Sequence, residues 1–533
     1  FITGSNMAWA HPILFRRLED AKRANPAQRW IVADPRRTET AEQADLHLQL
    51  LPGSDVALFN GLLHVMLWEG LVDHAYIAQH TTGFEALRDR VRECTPQATA
   101  RATGCRAEDI ITAARWFGDS PATLSLYCQG LNQSSSGTDK NAALINLHLA
   151  TAQIGKPGAG PFSLTGQPNA MGGREVGGLA NLLSAHRELS KPEHRAEVAH
   201  LWGLPDVPAK PGRTAVELFQ AAADGEVKAL WIACTNPAQS LPDQATVRRA
   251  FERAEFVIVQ EAFLHTATAA FADVLLPATT WGEKDGTVTN SERRISRVRP
   301  AVAAPGQARH DWVIARDIAK LLAARIGPSS LSPEQRAAMF NYPTPESVWN
   351  EHRETTRGRD LDITGLSYGI LESQGPQQWP FTEGAAQGKA RLYEDGHFPT
   401  DDGRARFSDV AARPLAEPRS AAYPFSLNTG RLRDQWHGMS RTGTLGRLFG
   451  HTPEPSVELH PQDLARLRLA EGDAVRLQSK RGAVVLHAKA SSAVSPAQAF
   501  VAMHWGSEAL VGRDADGVPH GGVNELTTPV FCP

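Results

Sequence analysis

A chain of 533 residues is too long for one hydrophobic core and should divide into about three or four domains. Its 55 basic and 58 acidic residues nearly cancel to a formal charge of −3, which argues against a nucleic-acid footprint or an acidic tail. With 42% hydrophobic and 21% charged residues, and no apolar run near the ~18 needed to cross a bilayer, the composition is globular and lacks a membrane span.

The five cysteines, Cys94, Cys105, Cys128, Cys234 and Cys532, are scattered and contain no C-x-x-C pair. They suggest neither a metal ligand set nor a disulfide framework, and most are expected to be buried small hydrophobes. The opening Phe1-Ile2-Thr3-Gly4 reads as a buried strand entering a glycine turn, and the chain stops at Phe531-Cys532-Pro533. Both ends read as cuts in a longer protein, with any leader upstream.

In chain order, residues 11–24 have helical periodicity, and Arg29-Trp30-Ile31-Val32-Ala33 is a short buried-strand run ending at Asp34-Pro35. Residues 55–70 read as a helix capped by Ser54. A strand over 122–128 leads through a polar loop to a helix over 137–152. This alternation predicts a parallel sheet covered on both faces. Residues 155–178 carry much Gly and Pro and read as too polar for a core element. A second α/β block follows, with strands over 228–233, 255–259 and 272–277 and a helix over 243–253. Residues 328–420 have weak periodicity and read as irregular connection. From about 421 the texture is all-β, with strands over 457–459, 474–479 and 483–489 and the tight turn Lys480-Arg481-Gly482, which points to a barrel. The expected domains are 1–155, 156–330, 331–420 and 421–533.

Several polar motifs fall directly after strands, where an open parallel sheet binds ligands. Thr3-Gly4-Ser5-Asn6 is a glycine turn feeding a helix, with backbone N–H groups suited to a pyrophosphate. In Asp34-Pro35-Arg36-Arg37-Thr38 the acid suits ribose hydroxyls and Arg and Thr suit phosphate, unless the segment is only a solvated turn. Gly53-Ser54-Asp55 opens a helix as an ordinary cap, or else presents an exposed carboxylate to the N1–H and N2–H₂ of guanine. Gln129-Gly130-Leu131-Asn132-Gln133 supplies neutral amides for a heterocycle. The glycines of 166–178 allow backbone to approach a large ligand, with Arg174 as anion reader; the alternative is a flexible surface loop. Asp285-Gly286 reads as a hairpin turn. Beside Trp436, His437 is either a packed side chain or a catalyst. The absence of G-x-x-x-x-G-K-[ST] and G-x-G-x-x-G argues against an ordinary nucleoside triphosphate or NAD site.

In this order the motifs resemble those of the molybdopterin oxidoreductase (DMSO reductase) family over almost the whole chain. Most specific are Phe271-Ala272-Asp273-Val274-Leu275-Leu276-Pro277 through Glu292-Arg293-Arg294, and His460-Pro461-Gln462-Asp463-Leu464 through Gly472-Asp473 to Lys480-Arg481-Gly482. The loop from Gly166 to Gly177 is similar to the nitrate reductase branch, and Trp9-Ala10-His11-Pro12 and Gly130-Leu131-Asn132-Gln133 to its assimilatory subgroup. The resemblance implies an α/β fold of two doubly wound αβα domains with mostly parallel sheets, plus a C-terminal double-psi β-barrel.

It also implies one molybdenum clasped by two molybdopterin guanine dinucleotides, and a [4Fe-4S] cluster. Matched motif by motif, Gly4, Ser5, Asn6, Asp34, Arg36, Thr38, Gly53, Ser54 and Asp55 hold one dinucleotide. Asn236, Gln260, Glu261, Lys284 and Asp311 hold part of the other. Thr429, Gly430, Arg431, Trp436, His437, His504 and Asn524 close over the pterins, and Gln129, Gln133, Met171 and Arg174 lie nearest the metal. Of these, Arg174, Met171 and Gln133 are the catalytic candidates. No residue of the chain is expected to ligate metal: those ligands are expected before Phe1, and a last cofactor-contacting Lys after Pro533, so these residues alone are not expected to be competent. The implied reaction is nitrate reduction in the cytoplasm, with electrons from ferredoxin, flavodoxin or an NADH-reductase subunit. Two alternatives stand beside it. One is another family member such as formate dehydrogenase. The other, from a different class, is a non-catalytic electron-relay subunit of a respiratory complex, whose dinucleotide motifs are usually eroded.

Overall fold

The structure is a computed structural model that describes residues 1–327, 329–506, 510 and 522–532. It contains two compact units, one of residues 1–166 with 391–533 and one of residues 167–390.

In the first unit five parallel strands form a sheet in the order Leu46–Leu48, Ile31–Ala33, Ile2–Thr3, Leu124–Tyr127, Gly160–Ser163. Successive side chains point to opposite faces. Ile2, Val32 and Leu126 therefore join Phe15 and Ala41 in one core, while Phe1, Ile31, Ala33 and Tyr127 join residues of the helices Asp55–Trp68 and Gly137–Ala150 in the other. Both faces are covered, as the alternation predicts. The 155–178 stretch departs from expectation, because Gly160–Ser163 is the edge strand and Ala170–Glu175 is a helix. An edge strand has a neighbour on one side only and needs no continuous apolar run, so its polar sequence concealed it. Strand order reverses beside Ile2–Thr3, and a reversal of this kind opens a crevice beyond the carboxyl ends of the central strands.

The C-terminal part of this unit is a mixed sheet in the order Ser426–Gly430, Gln498–Ala502, Ser456–Leu459, Ala483–Ala490, Ala474–Gln478, packed around Val457, Leu459, Leu486 and Val501. Its first two strands run parallel, with Gly430 opposite Ala502. The segments that follow them therefore leave from the same end of the sheet.

In the second unit the parallel strands Ala229–Ala233, Phe256–Glu261 and Val274–Pro277 form a sheet with Phe256–Glu261 central. Helices Ala215–Ala223 and Gln244–Arg253 pack on one face, with Phe219, Val247 and Phe251 against Leu230, Ile232, Val257 and Val259. On the other face Trp231 is 43% and Phe256 42% exposed, so this sheet is not wrapped on both sides as its apolar runs predict. Asp285-Gly286 is not the hairpin turn either. Gly286 begins the strand Gly286–Thr289, and the turn to Arg294–Val298 lies at 290–293, closed by Arg293 at φ 66°.

Within 331–420 the structure has helices Pro333–Ala338, Pro345–Thr355 and Tyr368–Ser373, each started by a hydroxyl cap, from Ser332, Thr344 and Ser367. Pro333–Ala338 and Tyr368–Ser373, of six residues each, are too short to display periodicity. Only Cys105 and Cys128 of the five free cysteines are buried, and Cys234 is exposed, against the expectation of mostly buried thiols. Among the described residues no helix is long and apolar enough to cross a membrane.

Candidate functional site

At the switch point of the five-stranded sheet the two loops after the central strands touch backbone to backbone. The Gly130 N–H donates to the Gly4 carbonyl at 3.0 Å, and a Cβ on Gly130 would lie 2.5 Å from Gly4 Cα. Gly4 is left-handed, at φ 57°. A side chain at either position would force the loops apart. Beside them Thr3 Oγ1 and Ser5 Oγ are buried without a hydrogen-bond partner among the described residues, which is uncommon for buried hydroxyls.

Several expected ligand-holding residues already have protein partners. Asn6 Nδ2 donates to Glu39 Oε2 and its Oδ1 accepts from the Thr40 hydroxyl, both at 2.9 Å, tying the turn to a short helix capped by Thr38. Arg36 is buried with its guanidinium 4.2 Å from the Phe500 ring and 4.0 Å from Glu458. Asp34 Oδ1 accepts the Arg36 N–H at 2.9 Å, and burial pushes its carboxyl up to about 6 against the pull of Arg36. Asp55 is not the exposed carboxylate of the alternative reading. It is buried, and its Oδ2 lies 2.8 Å from Lys140 Nζ. Ser54 forms no side-chain cap and donates its hydroxyl to the Leu51 carbonyl; Gly53 before it is left-handed.

The C-terminal sheet contributes to the same unit. His504 accepts the Leu432 N–H on Nε2 at 2.8 Å and donates its Nδ1–H to the Trp436 carbonyl at 3.0 Å, pinning the loop 431–437 as a neutral tautomer. Burial, then the charge of Arg431, pushes its pKa down to about 3. The folded value lies below the unfolded value of about 6.5, so the stability this pin supplies is complete above pH ~6.5 and is lost as the pH falls toward the folded value. The slope of Tm against pH from ~4 to ~6.5 is expected to be shallower in His504→Gln. An unchanged slope would contradict this role. Arg431 donates to the Gln435 carbonyl at 3.0 Å and has no carboxylate partner among the described residues. Its charge acts on His11, Cys128, His437 and His504. A half-buried guanidinium without a counter-charge suits an anion. Thr429, Gln133 and His437 are exposed, Gln129 begins the short helix Gln129–Asn132, and Asn524 Oδ1 accepts the Thr527 hydroxyl.

In the second unit a polar cluster stands at the carboxyl ends of the three-stranded sheet. Asp311, the first residue of helix Asp311–Ile326, receives Gln260 Nε2 at 2.8 Å and Cys234 Sγ at 3.2 Å on Oδ1, and Lys284 Nζ on Oδ2. Burial opposes its ionisation, but the bonds from Lys284 and Gln260 outweigh burial and hold the carboxyl below its usual range. Glu261 accepts from the backbone of Ala262 and Phe263, and Asn236 from Thr268, so these two residues shape the neighbouring loops. Elsewhere in this unit Met171 and Arg174 lie on helix Ala170–Glu175, with Arg174 exposed and its guanidinium without a hydrogen bond or ion pair to any described residue.

The profile of the Molybdopterin oxidoreductase family matches residues 1–321, and that of the Molydopterin dinucleotide binding domain matches residues 425–533. The chain belongs to the molybdopterin oxidoreductase family. It is 40% identical over 539 aligned residues to a nitrate reductase of Synechocystis sp., covering all of this chain and 73% of that protein. To a nitrate reductase of Klebsiella oxytoca it is 42% identical, covering 95% of this chain but only 57% of the relative. Acetylene Hydratase from Pelobacter acetylenicus shares the fold at a TM-score of 0.70 and 19% identity, covering 99% of this chain and 74% of that one.

The residues fit the family's dinucleotide cofactor on structural grounds. Among the described residues two buried hydroxyls beside the paired glycine loops lack partners and Arg431 lacks a counter-charge, and a Cβ at either glycine would part the loops that place them. Motif reading missed Glu39, Thr40, Lys140, Cys234 and Glu175. Lys140 carried a signal, since it shares a helical stripe with Leu144 and Leu147, where a cation must be paired. The others carried none, because their partners are remote in sequence.

Proposed function

We propose that the chain is the cofactor cradle of a cytoplasmic, assimilatory-type nitrate reductase with one molybdenum held by two molybdopterin guanine dinucleotides. The reaction is nitrate + 2 H⁺ + 2 e⁻ → nitrite + water. The observation that carries nitrate is Arg174, an exposed guanidinium free of ion pairs among the described residues, in a chain several of whose relatives bear the name nitrate reductase.

In this reading the Gly4 and Gly130 backbones, the Thr3 and Ser5 hydroxyls and Arg431 take the phosphates and pterin of one dinucleotide, with Asp34 as an acceptor for its ribose. Gln260, Lys284 and Asp311, with Asn236 and Glu261, serve the other, while the C-terminal sheet, in this reading a double-psi barrel, closes over the pterin held by its own unit. When bound, the molybdenum–dithiolene group supplies the redox chemistry. The chain's own residues bind and orient: Arg174 holds the nitrate oxygens by charge-assisted hydrogen bonds, with Met171 on the same short helix. Electrons come from a ferredoxin, a flavodoxin or an NADH-reductase subunit through a [4Fe-4S] cluster. Among the described residues no group of three or more His, Cys, Asp or Glu could hold a metal.

Holoenzyme is expected to convert nitrate to nitrite with reduced methyl viologen as donor and to leave formate unoxidised with oxidised viologen as acceptor. Formate oxidation without nitrate reduction would move the assignment to formate dehydrogenase. Turnover of neither, in protein lacking molybdenum, would leave the electron-relay reading.

A further inference from the structure

Helix Ala170–Glu175 has six residues, far short of what sustains a helix in water, yet it carries Arg174. It is fastened at both ends to one residue of the strand Gly286–Thr289. Asn169, at its start, accepts the Thr289 N–H on Oδ1 at 2.8 Å. Glu175, at its end, accepts the Thr289 hydroxyl on Oε2 at 2.9 Å and the Trp379 Nε1–H on Oε1 at 2.5 Å. The Glu175 carbonyl takes the Ala185 N–H at 2.7 Å as well. Glu175 is 3% exposed, and burial raises its carboxyl pKa against these two side-chain bonds. The helix is tight as well as fastened, since a Cβ on Gly172 would lie 2.2 Å from Asn169 Oδ1. Arg174 is thus an outward-facing cation one residue from a buried two-point anchor.

We propose that Glu175 is a positioning residue: its anchor on Thr289 and Trp379 fixes the direction in which Arg174 presents its guanidinium to the substrate anion. This rests on the nitrate reading above. A Gln at 175 can turn its oxygen to Trp379 and its amide N–H to the Thr289 hydroxyl, so both contacts survive in Glu175→Gln, whereas Glu175→Ala loses both.

The test is a double-mutant cycle in the holoenzyme, with KM and kcat for nitrate and molybdenum content read for each variant. Glu175→Ala is expected to raise KM about tenfold with a smaller change in kcat and unchanged molybdenum, and Glu175→Gln to restore KM. Added to Arg174→Ala, the Glu175→Ala change is expected to do nothing more to KM, because it acts only through Arg174. The same tenfold effect in the Arg174→Ala background, or loss of molybdenum in step with activity, would overturn the proposal in favour of a general packing role. Should Glu175→Ala not fold, Thr289→Val removes one contact and is expected to raise KM less, again only when Arg174 is present. Wild-type holoenzyme that does not turn over nitrate would overturn the nitrate reading and this proposal together, whereas an additive cycle overturns this proposal alone.

Discussion

Replacing Arg174 by Ala in the holoenzyme is expected to lower kcat/KM for nitrate roughly ten- to a hundredfold, the worth of a charge-assisted hydrogen bond made in a desolvated site. Molybdenum content and Tm are expected to stay at wild-type levels, because the Arg174 side chain is exposed and makes no hydrogen bond or ion pair with any described residue. Arg174→Lys is expected to fall between, since it keeps the charge but loses the planar fork that matches a trigonal oxyanion. Wild-type nitrate kinetics in Arg174→Ala would remove the anion-reading role. A parallel loss of molybdenum would make the residue structural instead.

The largest effect on stability is expected at Lys140. Its side chain and that of Asp55 are 5% and 10% exposed, and they meet at 2.8 Å. Removing one member of a buried pair leaves the other charged and without water, at a cost of about 3–5 kcal/mol. Lys140→Met should therefore unfold at markedly lower temperature and denaturant concentration than wild type. Exposed pairs such as Lys228 with Glu255 should matter little when broken, because solvent screens them. Equal effects at the two sites would show that the Asp55–Lys140 contact does not carry the load assigned to it.

What the sequence makes legible is what its neighbours in sequence decide. Ile31–Ala33 and Leu124–Tyr127 show as apolar runs, and Gly4 shows as a turn glycine directly after one of them. That Gly4 meets Gly130 depends on the pairing of Ile2–Thr3 with Leu124–Tyr127, a long-range register that no local pattern encodes. Asp55 reads as an exposed helix cap from its own neighbours, and only the packing of helices Asp55–Trp68 and Gly137–Ala150 reveals Lys140 as its partner. The glycines around Arg174 read as a close approach to a ligand or as a flexible loop, and no local pattern shows that Thr289 and Trp379, both remote in sequence, fasten Glu175 there. Motif order carried the family, because the motifs fall where parallel strands end, and that placement survives even when an individual role does not. Asn6 and Thr38 bear this out, as both shape the turn through protein partners.

The central claim is that each unit offers one dinucleotide site at the carboxyl ends of its parallel strands, with Gly4, Gly130 and Arg431 in one and Gln260, Lys284 and Asp311 in the other. Nucleotide release by acid hydrolysis of the holoenzyme, quantified against molybdenum, tests this most directly. About two GMP per molybdenum is the expected result. One GMP per molybdenum, or none, would contradict it.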